Sequence, residues 1–170
     1  VDDHALLRDG VREILEAVVA RAPGHGDCLA ALSMIYGHEY VFGYNVRPDS
    51  LGRARAAAQR AVASAPASSS AHCALAFGLF FLKDSQAFRT AAERALSLNR
   101  MDSSTAALLG TMIAYSGDWE YGLGIVERAK QLNPHHPGWY HYVALTDAYR
   151  RRDYRGALAI ALKVNMPGYH

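Results

Sequence analysis

Residues 103–134 read SSTAALLGTMIAYSGDWEYGLGIVERAKQLNP, and this stretch decides the fold. Leu109, Ile113 and Tyr115 precede a Gly117-Asp118-Trp119 break; Gly122, Val126, Ala129 and Leu132 follow it, ahead of Asn133-Pro134. Apolar positions recur every three or four residues on both sides of the break, which is helical periodicity twice over. The Gly-Asp pair ends one helix and caps the next, and Pro134 stops the second. Small residues at Gly110, Gly122 and Ala129 allow the two antiparallel helices to approach closely, while Leu109, Ile113, Val126 and Leu132 fill the space between them. Each contributes about 1.5–3 kcal/mol when fully buried.

The stretch is one unit of a repeat. Ala61, Ala95 and Ala129 are spaced 34 residues apart, as are Leu75, Leu109 and Val143, and also Ala76, Gly110 and Ala144. Leu98 steps to Leu132, and two steps take Pro66 to Pro134. Upstream the step is 43 for both Pro23 to Pro66 and Leu32 to Leu75, which implies one nine-residue insertion between Leu32 and Ala61. Because several independent columns agree, a repeat architecture follows before any local reading.

With Leu109-Gly110, Ala129 and Asn133-Pro134 in these columns, the chain resembles the tetratricopeptide repeat (TPR), a 34-residue helix–turn–helix unit. Departures are visible. Leu29, His72 and Ala106 stand where the pattern has Trp, and Phe88 and Ala92 exchange the Ala and aromatic of the second helix. The resemblance implies an all-α, right-handed α-solenoid of antiparallel helix pairs, with about nine helices. Residues 1–23 then form the helix of a truncated repeat, and 24–66 the first unit with its insertion. The second unit is 67–101, the third 102–135, and the fourth 136–170, with the start of a cut-off repeat. The fourth fits only with one extra residue near Arg150 to Arg152. The insertion, residues 38–50, predicts a lengthened first helix and a turn at Pro48-Asp49-Ser50.

Composition narrows the function. Hydrophobic residues make up 51% of the 170 and charged residues 20%, so a core forms and wholesale disorder is excluded. No apolar run reaches the ~18–20 residues of a membrane span. The chain opens on Val1-Asp2-Asp3-His4, with neither an initiator Met nor a signal-peptide pattern, and reads as a piece of a longer, cytoplasmic protein. Eighteen Lys+Arg against sixteen Asp+Glu give a net charge of +2, little surplus for a phosphate-binding face. Arg150-Arg151-Arg152 with Arg155 is the one basic cluster; Asp147 and Asp153 offset part of it, so it reads as a solvated turn rather than a nucleic-acid patch.

No catalytic, metal or cofactor motif emerges. His135-His136 with His141 is the densest histidine group, but His136 and His141 are five apart, one beyond the spacing that aligns ligands on a helix. Cys28 and Cys73 read as small apolar packing residues. Gly122-Leu123-Gly124 reads as helix packing rather than a nucleotide loop.

Function is therefore expected to be binding. Solenoids of this kind use an extended concave surface, which the resemblance assigns to the first helices. By register its lining is Ala30 and Met34, then Cys73, Phe77, Phe80 and Phe81, then Ala107, Thr111, Ala114 and Tyr115, then His141, Leu145 and Tyr149. Some of these aromatics, Phe80 foremost, belong to the inter-helix core. The partner-binding set is Met34, Cys73, Phe77, Phe81, Thr111, Tyr115, His141 and Tyr149, an apolar groove for a peptide or partner helix. Repeat proteins that read acidic tails place Lys, Asn and Arg there; Ala30, Met34, Cys73 and Phe77 cannot supply that clamp. Residues 132–140, with Asp153-Tyr154 and Asn165-Met166-Pro167-Gly168-Tyr169, more narrowly resemble the C-terminal repeats of bacterial class III adenylate cyclases and winged-helix regulators. That resemblance implies a signalling or regulatory protein whose catalytic or DNA-binding domain lies N-terminal to this piece. The alternative expectation is a self-association or spacer module, a homodimer formed through exposed end helices, with Leu158, Ile160, Ala161 and Val164 unpartnered in the last one. No nucleic acid or membrane is expected as a partner.

Overall fold

The computed structural model describes residues 3–44 and 47–164, with side chains from residue 9 onward. All regular structure in these residues is helical. The chain divides into two compact units, residues 1–99 and 100–170. The first holds α1 (Asp3–Arg21), α2 (Gly26–Phe42), α3 (Ser50–Ser64), α4 (Ser69–Phe81) and α5 (Ser85–Leu98). The second holds α6 (Ser103–Tyr115), α7 (Trp119–Leu132), a 3-10 turn (Gly138–His141), α8 (Tyr142–Arg150) and α9 (Tyr154–Ala161). Neighbours in sequence pack as hairpins: α2 with α3, α4 with α5, α6 with α7, and α8 with α9. Within the first unit α4 also packs on α2 and α3.

The turns of three hairpins, α4–α5, α6–α7 and α8–α9, share one geometry. Lys83, Gly117 and Arg152 take left-handed backbone, with φ of 60°, 116° and 63°. Each donates its N–H three residues back, to Phe80, Ala114 and Tyr149, while the following Asp donates to Leu79, Ile113 or Ala148. This is the Schellman closure of a helix C-terminus. Asp84 and Asp153 then cap the next helix, accepting from Ala87 N at 3.2 Å and Gly156 N at 2.9 Å. Asp118, the residue the sequence marks most plainly as a cap, makes no such side-chain bond.

The repeat columns are packing columns. Ala61, Ala95 and Ala129 are fully buried, and so are Leu109 and Val143. Gly110 and Gly122 face each other across α6 and α7: a Cβ on Gly110 would meet the Gly122 carbonyl at 2.9 Å, and one on Gly122 would meet Ala114 N at 2.5 Å. Gly124 has nothing within 4 Å of an added Cβ, so the packing role expected of that glycine is corrected to Gly122 alone. In the first unit Leu29, Ala30, Ala58, Ala61, Ala71 and Ala74 cluster; in the second the cluster is Ala107, Ala114, Val126, Ala129, Tyr140 and Val143. Tyr140 takes over the large-residue role in the fourth helix pair, donating its hydroxyl to Ser103 Oγ at 3.3 Å. α2 runs to 17 residues against 13 for α4 and α6, and α3 starts after Pro48-Asp49. Asn45, Val46 and the C-terminal Asn165-Met166-Pro167-Gly168-Tyr169 lie outside the described residues.

Candidate functional site

In the first unit, rings form a connected row from core to surface. Phe88 is buried and meets Phe80 at 5.4 Å between centroids; Phe80 meets Phe81 at 5.1 Å, and Phe81 meets Phe77 at 5.0 Å. Phe77 touches His38 at 5.0 Å, His38 touches Phe42 at 5.7 Å, and Tyr40 edges onto Phe81 at 5.9 Å. The row ends in solvent, with Tyr40 54% and Phe42 60% exposed. Gly37 makes the crossing possible, because a Cβ there would sit 2.6 Å from the Phe77 ring. The α2 extension thus adds the exposed rings of Tyr40 and Phe42, while His38 and Gly37 lie against Phe77. Burial lowers the pKa of His38.

The expected groove residues of this unit divide. Phe77 and Cys73 are 4% and 6% exposed: they belong to the packing of α4, and offering them to a partner in this conformation is corrected here. The reason is the glycine at position 37, which lets α2 close over the Phe77 ring. Met34 is half-buried against the Ala-rich cluster. Phe81 is half-buried and remains at the surface edge of the row.

Beneath the α1–α3 side lies a charge network that the sequence pattern did not announce. Glu39 is buried, accepting from Arg12 Nη1 at 3.2 Å and Arg53 Nη2 at 2.8 Å. Arg12, also buried, reaches Asp9 at 3.1 Å and Glu16 at 3.8 Å. Tyr36 donates to Glu16 at 2.8 Å, and the Arg53 guanidinium lies 4.4 Å from the Tyr36 ring centre. Burial first, and the Glu16 carboxylate second, push the Tyr36 pKa up to about 12. Glu16, Tyr36, Arg53 and Arg60 edge a cleft of about 490 Å³ whose floor is Leu29 and Leu32. One signal was available: Glu39 falls among apolar neighbours of α2, where a lone carboxylate demands partners.

In the second unit Tyr115 is 43% exposed, hydrogen-bonds Thr146 at 3.1 Å and packs on Trp119 at 5.7 Å. Arg150 covers the other ring contact of Trp119 at 4.3 Å, while its guanidinium and that of Arg151 pair with Asp147 at 2.6 and 3.3 Å. Tyr149 is 64% exposed beside Tyr154. Thr111 is half-buried, its hydroxyl bonded to the Ala107 carbonyl at 2.8 Å. His141 lies 3.2 Å from His136. Among the described residues no group of three or more His, Cys, Asp or Glu is placed to hold a metal ion, and no helix is long and apolar enough to cross a membrane.

No family model matches the chain, and no curated protein does. Solved structures do. MamA is 18% identical, with 92% of this chain and 86% of that one aligned at a TM-score of 0.64. A thermophilic TPR protein of Thermus thermophilus is 19% identical over 90% and 74%, with a TM-score of 0.66. YrrB, a TPR protein with an unusual peptide-binding site, is 16% identical over 97% and 84%, at 0.62. At such identity the likeness establishes the fold alone: this chain is an all-α helix-pair solenoid of the tetratricopeptide-repeat type.

Proposed function

We propose that the chain is a protein-interaction module that binds a peptide or partner helix by shape and apolar contact, without covalent chemistry. The observation that carries this is the aromatic row of the first unit, which begins in the core at Phe88 and ends in solvent at Tyr40 and Phe42. A folded chain has little reason to expose large rings contiguous with its core unless something covers them. Rigid aromatic rings supply large contact area at low entropic cost, as interface anchors do. YrrB, which shares the fold, is described as having a peptide-binding site. The working surface is Tyr40, Phe42 and Phe81 in the first unit, with Tyr115 and Tyr149 as a second contact area in the other. Met34, Thr111 and His141 remain flanking positions of the expected groove.

The narrower resemblance of residues 132–140 and 153–154 supports a place in a bacterial, cytoplasmic signalling or regulatory protein. Site-specific photocrosslinking tests the binding role in a bacterial cell. A benzophenone amino acid at Tyr40 should give a discrete adduct with one partner, while the same group at exposed Arg128 on α7 should give none. Equal, diffuse labelling from both positions would overturn the proposal.

A second reading has its own observation. On α9 and at its C-cap, Tyr154, Leu158 and Leu162 recur four apart and are 59%, 65% and 80% exposed. Such a stripe suits self-association of end helices. Light scattering of the purified chain at tens of micromolar distinguishes the two, since this reading requires a dimer that Leu158→Glu dissolves.

A further inference from the structure

We propose that His136 and His141 form a two-histidine site for a borderline divalent metal ion such as Zn²⁺, at the turn between α7 and α8. The two Nε2 atoms are 3.2 Å apart and the ring centroids 5.0 Å apart. Two imidazoles joined end to end by a straight hydrogen bond would have centroids about 5.5 Å apart, whereas two aimed at one ion at a Zn–N distance of about 2.05 Å, with the same nitrogen separation, would have them about 5.0 Å apart. The observed pair of distances fits two rings aimed at a common point and is shorter than the straight arrangement.

Two features prepare the site. The Asn133 carbonyl takes the backbone N–H of His136 at 3.0 Å and lies 3.0 Å from its Nδ1. A carbonyl can only accept, so the proton is on Nδ1, and Nε2 presents a lone pair toward His141. This is the outer-shell arrangement that orients metal-bound histidines. The His136 ring is also stacked on Tyr140 at 5.3 Å and 28°, and Tyr140 is fixed in the core. Without a cation, His141 Nε2 donates its proton to His136. With one, neutral His141 carries its proton on Nδ1 instead, and both Nε2 lone pairs face the ion. Helical spacing would have kept residues 136 and 141 apart; the 3-10 turn over Gly138–His141 brings them together. Among the described residues no third such ligand joins them, so water completes the shell and the ion binds less tightly than at a four-ligand structural site.

The test is calorimetric titration of Zn²⁺ into the full 170-residue chain, free of any histidine tag, at pH 7.5. Wild type should bind, and both His136→Gln and His141→Gln should weaken that binding at least ~10-fold. His135→Gln, one residue away and exposed, should leave it unchanged. Circular dichroism checks each variant's helicity, and His136→Asn and His141→Asn replace any variant that loses it. No Zn²⁺ binding by wild type, or binding that survives loss of either histidine, overturns the site.

Discussion

Replacing Glu39 by Gln keeps the side chain's shape and removes the one charge that both Arg12 and Arg53 grip. Breaking a buried ion pair by neutralising one partner costs about 3–5 kcal/mol, because the other charge is left without compensation. Here Arg12 retains Asp9 at 3.1 Å and Glu16 at 3.8 Å, and the Arg53 side chain is 27% exposed and keeps Ser50 Oγ at 3.2 Å. Solvent and these neighbours absorb part of the loss, which places Glu39→Gln at about 2–3 kcal/mol. For a unit of this size each 1 kcal/mol moves the melting point by roughly 4–8 °C, so the first unit should melt about 8–24 °C earlier. Far-ultraviolet circular dichroism follows both units, while tryptophan fluorescence reports the second alone, since Trp119 and Trp139 both lie there. Arg12→Met combined with Glu39→Gln should cost at least ~1 kcal/mol less than the two single losses added together. A Glu39→Gln loss below about 0.5 kcal/mol, or strict additivity, would refute the reasoning that the network is a coupled, desolvated unit.

Other outcomes are equally specific. Phe77→Ala should cost about 3–5 kcal/mol in urea unfolding, because it empties the pocket over Gly37; a loss under ~1 kcal/mol would return Phe77 to the surface. Lys83→Gly and Arg152→Gly should each stabilise by about 0.5–1 kcal/mol by relieving left-handed backbone, and Gly117→Ala should destabilise by about 1 kcal/mol; differential scanning calorimetry reads all three. Gly122→Ala should cost about 1–3 kcal/mol by forcing α6 and α7 apart, whereas Gly124→Ala should be neutral or stabilising in the same assay. Because burial lowers the folded pKa of His38, the unfolded chain takes up a proton there before the folded chain does. That contribution to stability is complete above the unfolded value of about 6.5 and is lost as pH falls below it; His38→Leu should flatten the dependence of melting temperature between about pH 7 and 5.

Helix pairs were legible because the repeat writes the same small residues into the same columns: Ala61, Ala95 and Ala129 are spaced by the sequence and fully buried in the structure. Turn chemistry was legible only at Gly117. Lys83 and Arg152 adopt the same left-handed closure without a glycine to signal it, because the following Asp and the helix-end carbonyls fix the geometry. Phe77 and Cys73 show why register alone misassigns a groove. Column position tells which helix face a residue occupies, but the depth of that face depends on Gly37, two helices earlier in the chain. Likewise Arg12, Glu39 and Arg53 come from three different helices, and no local spacing unites them. The same holds for His136 and His141, whose approach is made by a 3-10 turn where helical spacing was assumed.

The central claim is that exposed aromatic ends of a rigid row, rather than the buried rings behind them, bind a partner. It is tested most directly by capture from a bacterial lysate with wild type, Tyr40→Glu/Phe81→Glu, and Arg128→Glu as surface control. Circular dichroism should show all three folded. The account predicts that one partner is retained by wild type and by Arg128→Glu and lost by the double variant. Retention of that partner by the folded double variant, or no specific partner with wild type, would contradict it.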